Sequence, residues 1–183
     1  MTPEQVILVD AHDTEIGIAE KLSVHRTGQL HRAVSVFLFD SAGAMWLQRR
    51  ALHKYHTPGL WTNGCCTHPR PGEDTADAAM RCVREELGTA SLALYPAFSF
   101  VYHAVLDRGL VEHEYDHVFV GLLDAEPSPN PDQVDAVRRI EIDALRKKLK
   151  VHPERFTPWF RIALEPVLRS SARGSAKPTL RRR

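Results

Sequence analysis

The pattern of apolar and polar positions predicts several short β-strands in the first half of the chain. Residues 6–10 (VILVD) and 33–40 (AVSVFLFD) are dominated by Val, Ile, Leu and Phe, which favour strands. Residues 41–43 (SAG) then supply a turn, and the apolar pattern resumes at 44–50 (AMWLQRR). The last two of these apolar segments are therefore predicted to form a hairpin.

A turn-rich loop and two further strands are predicted in the middle of the chain. Residues 56–74 are dense in Pro, Gly, Asn and Thr, which predicts a loop with a short strand near Trp61. Residues 99–106 (SFVYHAVL) and 115–123 (YDHVFVGLL) are again typical of strands.

Residues 75–87 form the clearest predicted helix. Asp74 or Thr75 can cap its start, and Gly88 follows its end. One side of this helix, at helical spacing, holds Ala79, Cys82, Val83, Glu86 and Leu87. The helix is therefore expected to bury one face against a sheet.

Two more helices are predicted at 142–150 and at 153–169, the second interrupted by Pro158. Helices mixed with antiparallel hairpins indicate the α/β (α+β) class, in a compact sandwich. A length of 183 residues suits a single domain, predicted at 1–168, and the residues 169–183 are predicted to be a basic, disordered C-terminal tail.

Composition excludes several classes of protein. Hydrophobic residues make up 43% of the chain and charged residues 26%, which is ordinary for a soluble protein. No apolar run approaches the roughly 20 residues of a membrane helix, so no membrane association is expected. The N-terminus has no basic segment before its apolar stretch, so no signal peptide is predicted and a cytoplasmic location is expected. Three cysteines without a CxxC pair fit a reducing compartment better than a disulfide framework or a zinc ribbon.

The net charge of +1 conceals an asymmetry. The segment 169–183 contains six of the 24 Lys and Arg residues and none of the 23 acidic residues, so the remainder is mildly acidic. A solvated basic end explains this segment better than a nucleic-acid-binding arm, because no other part of the chain pairs basic with aromatic residues in a way that suggests nucleic-acid binding. No nucleic-acid partner is therefore predicted.

Two segments place chemically useful side chains two positions apart. In an extended segment Cys66 and His68 would face one site together, while Cys65 would point away and pack. Glu112 and Glu114 repeat this spacing, and carboxylates so close together repel unless a cation or a shared proton offsets their charge. Taken alone, the first segment is also explained by a buried thiol beside a surface histidine. The second is also explained by an exposed acidic strand.

A third segment adds His25 and His31, which lie on either side of a polar turn. Taken alone, these two histidines are also explained by a solvated loop. Together the three segments supply three imidazoles and two carboxylates. This donor set suits a divalent ion such as Mn²⁺, Mg²⁺ or Zn²⁺, provided that the segments converge in the fold.

Several strings resemble those of the type I isopentenyl-diphosphate isomerases, in order over roughly residues 5–165. They are EKLSVH (20–25), LHRAVSVFLF (30–39), RRALHKYHTPGLWTNGCCTHP (49–69), VREELG (83–88), YHAVLDRGLVEHEYDHVF (102–119) and FTPWF (156–160). The combination of WTN-x-x-C-x-HP with a later E-x-E is highly specific for this family.

The resemblance implies a Nudix-type fold, an α/β/α sandwich with mixed and antiparallel strands. The Nudix pattern G-x5-E-x7-R-E-U-x-E-E-x-G runs through 67–88. The residues in register are Glu73, Arg81, Val83, Glu85, Glu86 and Gly88. The chain departs from the pattern at Thr67, which replaces a Gly, and at Cys82, which replaces a Glu. The missing carboxylate argues against pyrophosphohydrolase chemistry and favours the isomerase.

The resemblance also implies two metal ions. The implied ligands of the first, Mn²⁺ or Mg²⁺ or else Zn²⁺, are His25, His31, His68, Glu112 and Glu114. Glu86 would help to hold a second ion, Mg²⁺, on the substrate diphosphate. No flavin is implied, because the chain has no GxGxxG fingerprint.

The implied reaction interconverts isopentenyl diphosphate and dimethylallyl diphosphate by protonation and deprotonation. Cys66 and Glu114 would be the acid–base pair, and Tyr102 an active-site aromatic that also hydrogen-bonds. The basic residues implied to meet the diphosphate are Lys21, Arg50 and Lys54, with Arg81 either assisting or structural. Trp159 would close an apolar pocket. The implied partner is a small-molecule diphosphate, and the chain is expected to be a monomer or a weak homo-oligomer.

Three other functions remain open from the sequence. A Nudix hydrolase acting on a diphosphate would need the glutamate that Cys82 replaces. A non-catalytic metal- or thiol-binding module would explain Cys66 and His68 but not the basic cluster with Trp61, Tyr102 and Trp159. A nucleic-acid partner would have to be recruited by the C-terminal tail.

Overall fold

The structure is a computed structural model that describes residues 3–89 and 92–173. Its nine strands form one sheet. The strands are β1 (Gln5–Val9), β2 (Glu15–Glu20), β3 (His31–Phe39), β4 (Met45–Arg50), β5 (Trp61–Thr62), β6 (Cys65–Thr67), β7 (Leu94–Val105), β8 (Val111–Leu122) and β9 (Val134–Ile140). The helices are α1 (Lys21–Thr27), α2 (Thr75–Leu87), α3 (Ile142–Val151) and α4 (Pro158–Arg173). None of the helices in these two ranges is long and apolar enough to cross a membrane.

Strand β3 organises the sheet. One of its edges pairs in parallel with β8, from His31 opposite Glu114 to Phe39 opposite Leu122. Its other edge pairs antiparallel with three strands in succession, β1, β6 and β4. The predicted β3–β4 hairpin is confirmed, but β4 pairs with only the last two residues of β3 before β6 replaces it. The sheet is mixed, as the resemblance implied.

Helices cover both faces of the sheet, which confirms the α/β/α sandwich. Val34, Val36 and Leu38 of β3 pack in one core with α2, whereas Phe37 packs in the other core with Phe160 of α4. Alternate residues of a strand point to opposite faces, so a strand covered on both sides is almost continuously apolar. The buried polar residues on this strand, His31 and Ser35, therefore mark a special region.

Helix α2 has the predicted limits. The Asp74 side chain accepts a hydrogen bond from the backbone N–H of Ala76, and Gly88 ends the helix at φ 65°. The residues buried along it are Ala78, Ala79, Cys82, Val83, Glu86 and Leu87. A carboxylate on this otherwise apolar face, that of Glu86, points to a functional site because burial of a lone charge is costly.

Several elements differ from the sequence prediction. Helix α1 and strands β2, β6 and β9 were not predicted, since each is too short or too polar for a clear period. The strand predicted at 99–106 begins earlier, at Leu94, and accommodates Pro96 at a bulge on the edge of the sheet. Pro158 begins α4 and does not interrupt a helix, because the first turn tolerates proline.

The predicted C-terminal boundary also differs. Helix α4 continues to Arg173, so 169–173 are helical and the boundary after residue 168 falls inside this helix. The rest of the predicted disordered tail, 174–183, lies outside the described residues.

Candidate active site

A cavity of about 550 Å³ brings together two groups of predicted side chains, the metal ligands and the diphosphate-binding residues. The predicted site residues that line it are Lys21, Arg50, Lys54, Cys66, His68, Arg81, Glu86, Tyr102, Glu112, Glu114 and Trp159. His25 and His31 are fully buried and contact this set from behind. Segments that are more than 40 residues apart in the chain therefore converge on one site.

Backbone carbonyl groups fix the orientation of two histidine rings. Nδ1 of His25 lies 2.7 Å from the carbonyl oxygen of Lys21, and Nδ1 of His31 lies 2.9 Å from that of Gln29. A carbonyl oxygen can only accept, so each Nδ1 carries the proton and each Nε2 presents a lone pair to the site. This arrangement is typical of histidines that bind a metal ion.

The inward nitrogens surround the carboxylate of Glu114. Its Oε1 lies 2.9 Å from Nε2 of His68 and 3.6 Å from Nε2 of His31. One ligand atom from each of His25, His31, His68 and Glu114 lies within 4.8 Å of the others, and all four side chains are buried. Glu112 adjoins this group, with Oε2 3.2 Å from Nε2 of His25.

The site fits a divalent cation. Within the described residues, Nε2 of His25, Nε2 of His31 and Oε2 of Glu112 are buried without a hydrogen-bond partner. Buried polar atoms are nearly always paired, so three such atoms in one cluster favour a bound ligand. Imidazole and carboxylate together suit a borderline divalent ion, and these residues could hold one.

Burial and mutual charge shift the ionisation of the cluster. Burial, and then the neighbouring Glu114, raise the pKa of Glu112. For Glu114 burial acts in the same direction, but the adjacent imidazoles of His31 and His68 outweigh it and hold the pKa well below its usual value. Burial and Lys21 lower the pKa of His68 to about 3, so that its ring is neutral near pH 7. A neutral imidazole is the form that binds metal.

Tyr102 is placed beside the metal-ligand group by strand pairing. It lies opposite Glu114 in the β7–β8 ladder, and its hydroxyl donates to Oε2 of Glu114 at 2.6 Å. Burial, and then the charge of Glu114, raise the pKa of Tyr102 well above its usual value. The phenol therefore remains protonated and acts as a hydrogen-bond donor.

Cys66 faces the cavity from β6, while Cys65 faces the opposite side of the sheet. Cys65 is fully buried in the core with Val36 and Cys82, as the alternation of the strand predicts. The Sγ atom of Cys66 lies 3.3 Å from Oδ1 of Asn63. Burial, and then the nearby Asp116, raise the pKa of the Cys66 thiol well above its usual value.

Glu86 and two basic side chains also line the cavity. The Glu86 carboxylate accepts from Gln48 at 2.8 Å and pairs with Lys54 at 3.4 Å. Lys21 pairs with Glu4 at 3.1 Å. Both ammonium groups lie at the cavity wall, where an anion could replace or join their carboxylate partners.

Two arginines that line the cavity are also engaged within the protein. The Arg50 guanidinium donates to the carbonyl oxygens of His56 and Thr57 and lies 5.4 Å from the ring centre of Trp159. Arg81 donates twice to Glu73 and once to the carbonyl oxygen of His68. Of the two roles that the sequence left open for Arg81, these contacts favour the structural one, because they position the His68 segment.

Sequence reasoning missed three residues near the site. Asp116 is fully buried and continues the alternation of Glu112 and Glu114 along β8, a signal that was present in the sequence. Only the pairing of β3 with its neighbouring strands shows that Ser35 lies near the site. His56 forms a second group with His25 and Glu112, its Nδ1 lying 3.5 Å from Oε1 of Glu112.

Comparison with known proteins places the chain. Residues 29–160 match the NUDIX domain. An isopentenyl-diphosphate Delta-isomerase 2 from Aromatoleum aromaticum is 48% identical over 165 residues, covering 90% of this chain and 87% of that protein. An isopentenyl-diphosphate Delta-isomerase from Streptomyces griseus is 45% identical over 174 residues, covering 92% and 87%.

Solved structures of more distant proteins share the fold. DR0079 from Deinococcus radiodurans superposes with a TM-score of 0.69 at 23% identity, covering 81% of this chain and 90% of that one. The MutT protein from Methanosarcina mazei gives a TM-score of 0.60 at 18% identity, covering 80% and 96%. On the sequence matches, with the fold in agreement, the chain belongs to the Nudix family and, within it, to the isopentenyl-diphosphate Delta-isomerases.

Proposed function

We propose that the protein interconverts isopentenyl diphosphate and dimethylallyl diphosphate by moving a proton on and off the carbon skeleton. The observation that carries this proposal is the shared cavity of Cys66 and Glu114, which reach it from strands on opposite edges of β3. One group can give a proton to the alkene while the other removes one from a neighbouring carbon. In the reverse direction the two roles exchange.

The walls of the cavity suit a short-lived cation. Protonation of an isolated alkene gives a tertiary carbocation, which water would capture, so the site must exclude water and stabilise positive charge. Tyr102 and Trp159 line the cavity, and an aromatic face stabilises a nearby cation by about 0.5–2 kcal/mol. Trp159 is held in place because its indole N–H donates to the Thr62 hydroxyl at 3.0 Å.

The first metal ion in this proposal is Mn²⁺ or Mg²⁺, with Zn²⁺ as the alternative. The residues that would hold it are His25, His31, His68, Glu112 and Glu114. Such an ion supplies positive charge that offsets the repulsion of the two carboxylates and tunes the acidity of Glu114. Glu114 itself is oriented by Tyr102 and His68 whatever the ion.

The diphosphate end in this proposal is the region around Glu86. A Mg²⁺ ion carried by the diphosphate would approach the Glu86 carboxylate, with Lys54 and Lys21 on the phosphate oxygens. Arg50 and Arg81 add positive charge while they hold the loops behind them. Binding energy gained here would position the short hydrocarbon arm between Cys66 and Glu114.

The reaction would take place in the cytoplasm, which agrees with three cysteines that are all free in the structure. A monomeric or weakly oligomeric state stays a prediction that size-exclusion chromatography with light scattering can check.

The decisive experiment is incubation with isopentenyl diphosphate and Mg²⁺ or Mn²⁺ in deuterated water. We expect deuterium in the dimethylallyl diphosphate formed, detected by NMR and mass spectrometry, and none with the Glu114→Gln variant. Release of phosphate or pyrophosphate from nucleotides without isomerisation would overturn the proposal in favour of a hydrolase.

A further inference from the structure

Asp116 is a buried carboxyl group that the proposed reaction does not use. Its side chain is fully buried, and Oδ1 has no hydrogen-bond partner among the described residues. Oδ2 accepts one hydrogen bond, from the Ser35 hydroxyl at 2.7 Å. No Lys, Arg or His side chain of the described ranges forms an ion pair with it. A buried polar group with so few partners is costly, so an apolar residue would make the fold more stable.

Asp116, Ser35 and Cys66 form a row across one face of three neighbouring strands. Ser35 lies on the central strand β3, directly opposite Cys66 in the β3–β6 ladder. Asp116 lies on β8, at the other edge of β3, where it pairs with Ala33, two residues before Ser35. Ser35 Oγ is 3.5 Å from Cys66 Sγ, so the hydroxyl connects the carboxyl to the thiol.

The direction of these hydrogen bonds follows from proton counting. The Ser35 hydroxyl has one proton, and Oδ2 of Asp116 accepts it at 2.7 Å, which leaves an oxygen lone pair toward the sulfur. On its other side, the sulfur meets Oδ1 of Asn63. The Asn63 amide is fixed in this orientation because Nδ2 donates to the carbonyl oxygens of Val36 and Cys65. The thiol therefore sits between two oriented oxygen acceptors.

We propose that Asp116 acts through Ser35 to hold the Cys66 thiol in the orientation that faces the cavity, so that both are positioning residues for the reaction. The inference rests on the proposed function, because it assumes that Cys66 exchanges a proton with the substrate. Loss of Asp116 frees the Ser35 hydroxyl to rotate and to donate to the sulfur, which changes the direction in which the thiol proton points. A small loss of alignment at a reacting group lowers the rate while leaving remote binding contacts intact.

The test compares Ser35→Ala, Asp116→Ala, their double variant and Asp116→Asn by steady-state isomerisation kinetics. We expect kcat to fall by about ten- to a hundredfold in each alanine variant, with KM within about twofold of wild type because the diphosphate end is untouched. The double variant should be no slower than the slower single variant, since both act on the same thiol. Asp116→Asn should keep kcat within about threefold, because its amide oxygen can still accept the Ser35 proton.

Val118→Ala is the matched control, since Val118 is the next inward residue of β8 and is 1% exposed. It should lower the melting temperature and leave kcat within about twofold, which separates a packing defect from lost positioning. If Asp116→Ala does not fold, Ser35→Ala and Asp116→Asn still decide the question.

Provided that the wild-type enzyme is active, a Ser35→Ala variant with full kcat would overturn this inference and leave the proposed function standing. An Asp116→Asn variant as slow as the Ser35→Ala variant would do the same. Multiplicative losses in the double variant would do the same. An inactive wild type would instead overturn the proposed function, so the two failures are distinguishable.

Discussion

The Cys66→Ala substitution removes the sulfur that faces the cavity and leaves the diphosphate end unchanged. The two oxygens that contact this sulfur keep other partners, because Asn63 Oδ1 still accepts from the Thr62 hydroxyl at 2.8 Å and Ser35 still donates to Asp116. Stability should therefore fall by no more than about 1 kcal/mol. The loss of an acid–base group should lower kcat by about 10²–10⁴-fold, and a thousandfold loss corresponds to about 4 kcal/mol in the barrier.

Cys65→Ala is the control that separates chemistry from packing. It removes the same atom type one residue away, but from the core between β6 and α2, where Cys65 is fully buried. We expect a loss of about 1–2 kcal/mol in the free energy of unfolding, from a small cavity, and kcat close to that of the wild type. Cys66→Ala should therefore lose more kcat and less stability than Cys65→Ala.

The assay follows conversion of isopentenyl diphosphate in deuterated water by NMR, with urea unfolding of the same preparations. Turnover by Cys66→Ala within about tenfold of wild type would refute the assignment of the thiol as a proton carrier. An equal loss of kcat in Cys65→Ala would show that the rate responds to packing in this region and not to the thiol.

Three further predictions concern the metal ligands, the apolar wall and the fold. Burial would lower the pKa of His25, but the adjacent Glu112 carboxylate outweighs it and raises the pKa. A metal ion must displace the proton that the ring gains at low pH, so Mn²⁺ affinity should fall as the pH drops through this pKa, by up to about tenfold per pH unit. Calorimetric titration at several pH values checks this, and an affinity independent of pH contradicts it. Trp159→Leu should lower kcat by about two- to thirtyfold through loss of ring stabilisation of the cation, whereas a pure rise in KM would contradict that role. Gly88→Ala should lower the free energy of unfolding by more than about 1 kcal/mol, because φ is 65° and the added Cβ would lie 2.4 Å from the carbonyl oxygen of Ser128; an unchanged melting temperature would refute this.

The local signals in the sequence were strong where a segment carries its own period and its own caps. Helix α2 had the predicted limits because Asp74, the buried face and Gly88 are all local features. Helix α1 was missed because its seven residues span only two turns, and its N-terminus is capped by the Glu20 side chain, whose role no pattern indicated. Chain positions after Leu168 were assigned to the tail on composition, although the helix continues through them.

For the candidate site as well, some features could be predicted from local sequence and others could not. The spacing of Cys66 with His68, and of Glu112 with Glu114, indicates which side chains share a face, because alternation is built into an extended backbone. The motif strings then supplied the chemistry. The same alternation extends to Asp116, but nothing in the sequence gave this carboxylate a role of its own.

What the sequence by itself determined is the set of side chains on each face of each element, since burial and capping leave a period in the chain that can be read locally. Only the tertiary structure decided which faces meet. The parallel register of β3 and β8 places His31 opposite Glu114, and the pairing of β3 with β6 places Ser35 opposite Cys66. These pairings join residues up to about 80 positions apart and depend on strand order and register, which are set by the packing of the whole sheet between its helices.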